Sequence, residues 1–209
     1  MILVVSPPRS GSSLVTNLLK ENGVYVGVCK EADENNKDGY FENVAIQKHL
    51  SELMRSIDAE NLGKKFQPIN YTFANEHIHH LRQVVGKEFY GVHNYAIKNV
   101  KIALTWQLWI EAFPSAKVLI LNRSRTEILK SIQKSPFMDQ YTTEDEWNKY
   151  LDAYYENMAW MEKSCDCLQV NLSNIIAQDN DELFNMSAFC GMELSYKGVI
   201  KKELWNRQR

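Results

Sequence analysis

Ile2-Leu3-Val4-Val5-Ser6-Pro7-Pro8-Arg9-Ser10-Gly11-Ser12-Ser13-Leu14-Val15 changes character twice within fourteen residues. An apolar β-type run breaks into a Pro/Ser/Gly turn, and the turn leads into a helix predicted from Ser12 to about Asn22, where Asn22-Gly23 supplies a stop. A strand, a tight turn and a helix start together make a phosphate cradle, because the first N–H groups of a helix lack intrahelical partners and converge on an anion. Gly11 lets the backbone come close. Ser10, Ser12 and Ser13 add hydroxyl donors, and Arg9 adds a planar cationic fork suited to phosphate or sulfate oxygens. A nucleoside-triphosphatase loop reads G-x-x-x-x-G-K-[ST] instead, and this stretch carries no such Gly-Lys pair.

Outward from this loop the chain alternates. Val24–Val28 reads as a short extended piece, residues 29–39 as a polar loop, and Gly39-Tyr40-Phe41-Glu42 as the lead into a helix with Val44, Ile46, Leu50, Leu53 and Met54 on its apolar side. A helix is predicted from Phe73 to Val85, then strand material over Glu88–His93 and Tyr95–Lys98, then an amphipathic helix from Ile102 to Phe113. Lys117–Asn122 is a continuous apolar run of the kind a buried parallel strand shows, followed by a helix over Thr126–Lys134. A long helix over Glu144–Lys163, a strand over Leu168–Leu172 and a helix over Asp181–Cys190 complete the pattern. Alternating β and α units predict an α/β fold with a central parallel sheet flanked by helices.

The 209 residues are 44% hydrophobic with no linker-like tract, so one domain over residues 1–209 is expected. A formal charge of -2 with interspersed signs gives no nucleic-acid signature. No leader pattern precedes the strand at residue 2, and no apolar run reaches the ~20 residues that span a bilayer, so a cytoplasmic protein is expected. Cys29, Cys165, Cys167 and Cys190 match no zinc or thioredoxin spacing and are expected to be inert. His77, His79 and His80 lack arranged acidic partners, and no metal site is expected. The Trp147, Tyr150, Leu151, Tyr154, Tyr155, Met158, Met161 series and Trp106, Trp109, Ile110 and Phe113 read as packed faces.

These features together resemble the sulfotransferases that use 3′-phosphoadenosine-5′-phosphosulfate (PAPS), in particular bacterial-type members with a P-R-S-G-[ST]-[ST]-L loop and a downstream G-Y-F-E segment. Pro8–Leu14 is similar to the family's 5′-phosphosulfate loop, and Glu34–Glu42 to its E-x-N-x-x-G-Y-F-E stretch. The resemblance implies a P-loop-like sulfotransferase fold, PAPS as donor without a metal, and direct in-line transfer of the sulfuryl group to a hydroxyl or amine of a small-molecule, glycan or lipid acceptor. Arg123 and Ser131 look like the 3′-phosphate pair. An Arg at the C-terminal edge of a parallel strand also sits where open α/β sheets bind ligands, and Ser131 reaches the same phosphate only if the chain doubles back over that edge. Arg125 is a further nearby cation.

In the family a lysine near the position of Lys98 bridges the sulfuryl group and the leaving phosphate; with Arg9 and the loop amides it would neutralise developing charge. Many members place a histidine two residues after this lysine, but here Val100 stands there, so another group must serve as general base. The candidates are Glu42, then Glu31, which lies near where other branches carry a glutamate base, then Glu34 and His49. Two segments depart from the family pattern: K-D-P-R is here Lys98-Asn99-Val100-Lys101, and R-[DN]-P is Arg123-Ser124-Arg125. The basic residues from Lys197 to Arg209 resemble chain ends that fold over the nucleotide, and residues 55–75 and 135–148 are expected to shape the acceptor pocket. The alternatives are a P-loop small-molecule kinase and a non-catalytic nucleotide-binding relative.

Overall fold

A computed structural model describes residues 1–33, 39–57, 72–135, 138 and 142–199. Four parallel strands form one sheet: β1 (Ile2–Val5), β2 (Ala96–Lys98), β3 (Lys117–Asn122) and β4 (Cys167–Asn171), in the order β2-β1-β3-β4. Leu3 stands opposite Ile97 on one side and Val118 on the other. In-register partners share a face, because side chains alternate along a strand. Leu3, Val5, Ile97, Val118 and Ile120 therefore join one apolar cluster, and Ile2, Val4, Ala96, Leu119, Leu121 and Val170 join the other. Both faces are covered, which is why β1 and β3 read as unbroken apolar runs.

The first face carries α2 (Val44–Ser56), α3 (Asn75–Glu88), α4 (Trp106–Ala112), α5 (Arg125–Gln133) and α6 (Glu144–Ser164). The second carries α1 (Ser12–Glu21), α7 (Leu172–Ala177) and α8 (Asn180–Cys190). Tyr25 pairs in parallel with Tyr95 beside β2, so the expected extended piece borders the sheet. Trp147, Tyr150, Leu151, Tyr154, Met158 and Met161 are buried on α6, as the helical spacing predicts. Among the described residues no helix is long and apolar enough to cross a membrane.

Three local expectations need correction. The apolar β-formers after Glu88 form a turn: α3 runs on to Glu88, Val92 N donates to the Phe89 carbonyl at 3.0 Å, and Tyr90 is exposed. The helix expected over 102–113 divides into a 3-10 helix, Val100–Thr105, and α4; the Asn99 side chain accepts from Lys101 N and starts the tighter winding earlier. The last strand ends at Asn171, whose side chain caps Ser173 N and so begins the unforeseen α7 at Leu172.

Topology fixes where a ligand belongs. From β1 the chain crosses to β2 on one side, then returns past β1 to β3 on the other, and β3 leads outward to β4. The strand order reverses at β1, so the crevice opens outside the carboxyl ends of β1 and β3.

Candidate functional site

Loop Ser6–Gly11 leaves the end of β1 and turns sharply into α1. Two of its residues take left-handed backbone, Arg9 (φ 62) and Gly11 (φ 79). Arg9 carries a side chain at such a φ, a conformation that costs on the order of 1 kcal/mol or more and clusters at functional sites. Gly11 is required for a reason besides the turn. A Cβ there would meet both methyls of buried Leu172 at 2.5 Å, so the tight approach is to the start of α7 as well as to any ligand.

Arg9 Nε donates to Ser131 Oγ at 3.1 Å, and Arg123 Nη1 donates to the Arg9 carbonyl at 2.8 Å. Arg123 follows β3, and α5 brings buried Ser131 back to the loop after β1. Burial lowers the pKa of both guanidiniums, and for Arg9 the neighbouring Arg123 adds to the effect. Glu127 lies 3.7 Å from Arg123 Nε and is half exposed. Two partly desolvated cations share this crevice, an arrangement that favours a bound anion.

A second cluster adjoins the first. Lys98, the last residue of β2, places Nζ 2.8 Å from Glu42 Oε1 and 3.1 Å from the Tyr40 carbonyl. Ser13 Oγ, in the first turn of α1, donates to that same carbonyl at 3.3 Å. The Tyr40 hydroxyl donates to Asp33 at 2.8 Å, and burial and Asp33 push its pKa up to about 12, so it stays protonated. Phe41 between them is buried under α1 with φ 53, the second left-handed non-glycine residue of this region. Lys101 Nζ reaches Ser51 Oγ of α2 at 2.5 Å, and burial lowers its pKa against an opposing pull from Glu42.

A brace holds the segment carrying Glu42. Asn43 caps α2 by accepting from Ile46 N at 3.0 Å, and its Nδ2 donates to Glu88 Oε1 at 2.7 Å. Glu88 Oε1 also accepts from Val28 N, and Gly27, at φ 74, leaves room: a Cβ there would meet Asn43 Nδ2. Lys30 N donates to the Glu42 carbonyl at 3.0 Å.

The structure therefore gathers Arg9, Ser13, Glu42, Lys98, Arg123 and Ser131 at the carboxyl ends of β1, β2 and β3, with Ser10, Gly11 and Ser12 in the loop between. Glu31 is exposed one residue beyond Lys30 and makes no hydrogen bond or ion pair among the described residues. Glu34 and residues 200–209 lie outside the described residues, as do parts of both expected acceptor loops. Arg125 is committed elsewhere, to Asp152 at 2.6 Å, Asn148 at 3.2 Å and the face of Tyr155. His49 packs edge-on to His80 between α2 and α3, with no bond to Lys98 or Glu42. Among the described residues no group of three or more metal-ligating side chains is found. The Tyr40 carbonyl and the Asn43–Glu88 brace were missed from sequence; only Asn43, an Asn directly before helical periodicity, carried a readable signal.

A comparison with curated proteins finds no match by sequence. By structure the chain is similar to sulfotransferase STF9 from Mycobacterium avium, at TM-score 0.55 and 9% identity, covering 99% of this chain and 67% of that one. It is also similar to sulfotransferase STF1 from Mycobacterium tuberculosis H37Rv, at TM-score 0.47 and 12% identity, covering 99% and 75%. The likeness to STF9, with the parallel sheet and its flanking helices, is that of the α/β P-loop-like sulfotransferase fold. A family profile described as "Sulfotransferase family" matches residues 2–196, nearly the whole described chain, and on that match the chain belongs to the sulfotransferase family.

Proposed function

We propose that this sulfotransferase takes PAPS as donor and transfers its sulfuryl group to a hydroxyl or amine of a small-molecule, glycan or lipid acceptor. The observation that carries the reading is the convergence of Arg9, Arg123 and Ser131 beside the Lys98–Glu42 pair, at the crevice where the strand order reverses. The residues fit the donor in one further respect. Ser10 Oγ is fully buried in the loop without a hydrogen-bond partner among the described residues. A buried hydroxyl left unpaired costs about 1–3 kcal/mol, and an anionic oxygen held in this loop would satisfy it.

In this reading Ser10, Gly11, Ser12, Ser13 and the first amides of α1 hold the 5′-phosphosulfate, and Arg123 with Ser131 holds the 3′-phosphate. Arg9 links the two, since its carbonyl faces Arg123 and its guanidinium faces Ser131. When bound, the donor supplies the activated S–O bond that breaks as the acceptor oxygen or nitrogen attacks sulfur. Glu42 accepts the acceptor's proton, with Glu31 as the alternative base, and Lys98 offsets charge on the departing phosphate oxygens. Lys98 holds Glu42 before the donor arrives. Lys98 Nζ would turn toward the anionic oxygens of a bound donor, which would free the Glu42 carboxylate to act as a base.

The test is release of 3′-phosphoadenosine-5′-phosphate from PAPS in the presence of mixed hydroxyl and amine acceptors. Acceptor-dependent release supports the reading. Donor binding without any release favours the non-catalytic relative, and ADP release from Mg·ATP favours a kinase.

A further inference from the structure

Cys165 caps the C-terminal end of α6 and Cys167 opens β4, and their sulfurs lie 3.3 Å apart. Both point to one acceptor, the Met161 carbonyl, at 3.3 Å from Cys165 Sγ and 3.8 Å from Cys167 Sγ. The backbone explains the pairing. At Cys165 the helix gives way to extended chain (φ -151, ψ 175), where residues two apart project to the same side. The segment is pinned in the sheet, with Val118 N donating to the Asp166 carbonyl at 3.0 Å and Cys167 in register with Val118. Neither thiol is sealed in, for both residues are half-buried. Cys29 and Cys190 make no thiol–thiol hydrogen bond among the described residues, and burial pushes each up to about 11. Only this pair of the four cysteines shows a sulfur–sulfur contact among the described residues.

We propose that Cys165 and Cys167 are an oxidative modification site, a dithiol that closes to an intrachain disulfide on reaction with a small-molecule disulfide such as oxidised glutathione. The two cysteines stand two positions apart where α6 passes into β4, with their sulfurs in contact. Closing the sulfurs from 3.3 Å to a bond of about 2.05 Å also draws the two Cβ atoms to within about 4.5 Å, so the chain at Cys165–Cys167 bends from its extended form as the bridge closes. The Cys165 thiolate attacks one sulfur of oxidised glutathione, forming a mixed disulfide and expelling one glutathione thiolate. Cys167 then loses its proton to solvent and attacks Cys165 Sγ, expelling the second. Two protein thiols are oxidised and one glutathione disulfide is reduced to two thiols.

The order of attack follows from the S–H···S contact. With Cys167 as its donor, the shared contact holds the Cys165 thiol below its ordinary range and pushes Cys167 above it. The site is remote from the charged crevice: Cys167 faces Val118, and the five residues from there to Arg123 rise about 16 Å along β3 to the opposite edge of the sheet. The closed ring is short, so its direct effect is to tie the end of α6 to β4 rather than to add much stability.

The 209-residue chain is incubated with oxidised or reduced glutathione, quenched with acid, and its free thiols, intact mass and peptides are measured, none of which depends on sulfuryl transfer. The expected result is loss of two of the four thiols, a mass about 2 Da lower and a bridge within peptide 165–167. Cys167→Ser stops at a glutathione adduct on Cys165, and Cys165→Ser reacts about tenfold more slowly. Persistence of all four thiols, a stable adduct on Cys165 of the unaltered chain, or a bridge involving Cys29 or Cys190 would overturn the proposal.

Discussion

Lys98 and Glu42 form an ion pair almost out of water, with side chains 5% and 12% exposed and Nζ to Oε1 at 2.8 Å. The pair joins the end of β2 to the segment ahead of α2, and the Tyr40 carbonyl is a third member of the contact. A carboxylate held this way is both a structural partner and, once released, a proton acceptor. The two roles separate by substitution.

Glu42→Gln keeps an acceptor for Lys98 but cannot take a proton at neutral pH. Turnover with PAPS and any productive acceptor falls by about 10²–10⁴-fold while donor affinity changes little. Single-turnover rates beside donor titration measure both. Unchanged turnover moves the base to Glu31.

Lys98→Met leaves the Glu42 carboxylate buried beside an apolar chain. The expected loss is about 3–5 kcal/mol in urea unfolding, much of it the cost of an unpaired buried charge. Adding Glu42→Gln to Lys98→Met recovers at least half of that loss. Strictly additive losses across the four-protein cycle contradict the pairing.

Gly11→Ala places a Cβ at φ 79 against the Leu172 methyls. Left-handed strain of about 1–2 kcal/mol and overpacking of about 1–3 kcal/mol sum to a lower urea midpoint at unchanged slope. A shift equivalent to less than about 0.5 kcal/mol, the range of neutral surface changes, would show that the loop and α7 do not pack as described.

His49 is buried against His80, and its pKa is lowered to about 4, chiefly by burial and then by His80, with Glu52 opposing and His77 adding. Above its ordinary value of 6.5 both folded and unfolded chains hold it neutral, and stability is complete. As pH falls from 6.5 toward 4 the unfolded chain takes up a proton that the folded chain refuses. Stability falls by up to about 1.4 kcal/mol per pH unit, about 3 kcal/mol in all. His49→Leu flattens this part of the stability–pH curve, and an unchanged slope would assign the acid sensitivity to other groups.

How much was legible follows from which forces are local. β1, β3, α1 and α6 were readable because their apolar patterns are set by burial along the element itself. Glu88–His93 was misread because α3 is extended by contacts from Val28 and Asn43, sixty and forty-five residues away in the chain. Arg9, Arg123, Ser131, Lys98 and Glu42 were nameable from side-chain chemistry and resemblance. The Tyr40 carbonyl was not, since any residue offers one. The Cys165–Cys167 contact was equally hidden, because C-x-C spacing alone says nothing of whether the chain between is extended.

The most direct test of the account is calorimetric titration with 3′-phosphoadenosine-5′-phosphate beside 5′-AMP and Mg·ATP, on the unaltered chain and on Arg123→Ala. The predicted result is micromolar affinity, about -8 kcal/mol, that requires the 3′-phosphate and falls by about 10²-fold in Arg123→Ala. Equal affinity for 5′-AMP, indifference to Arg123, or preference for Mg·ATP would contradict it.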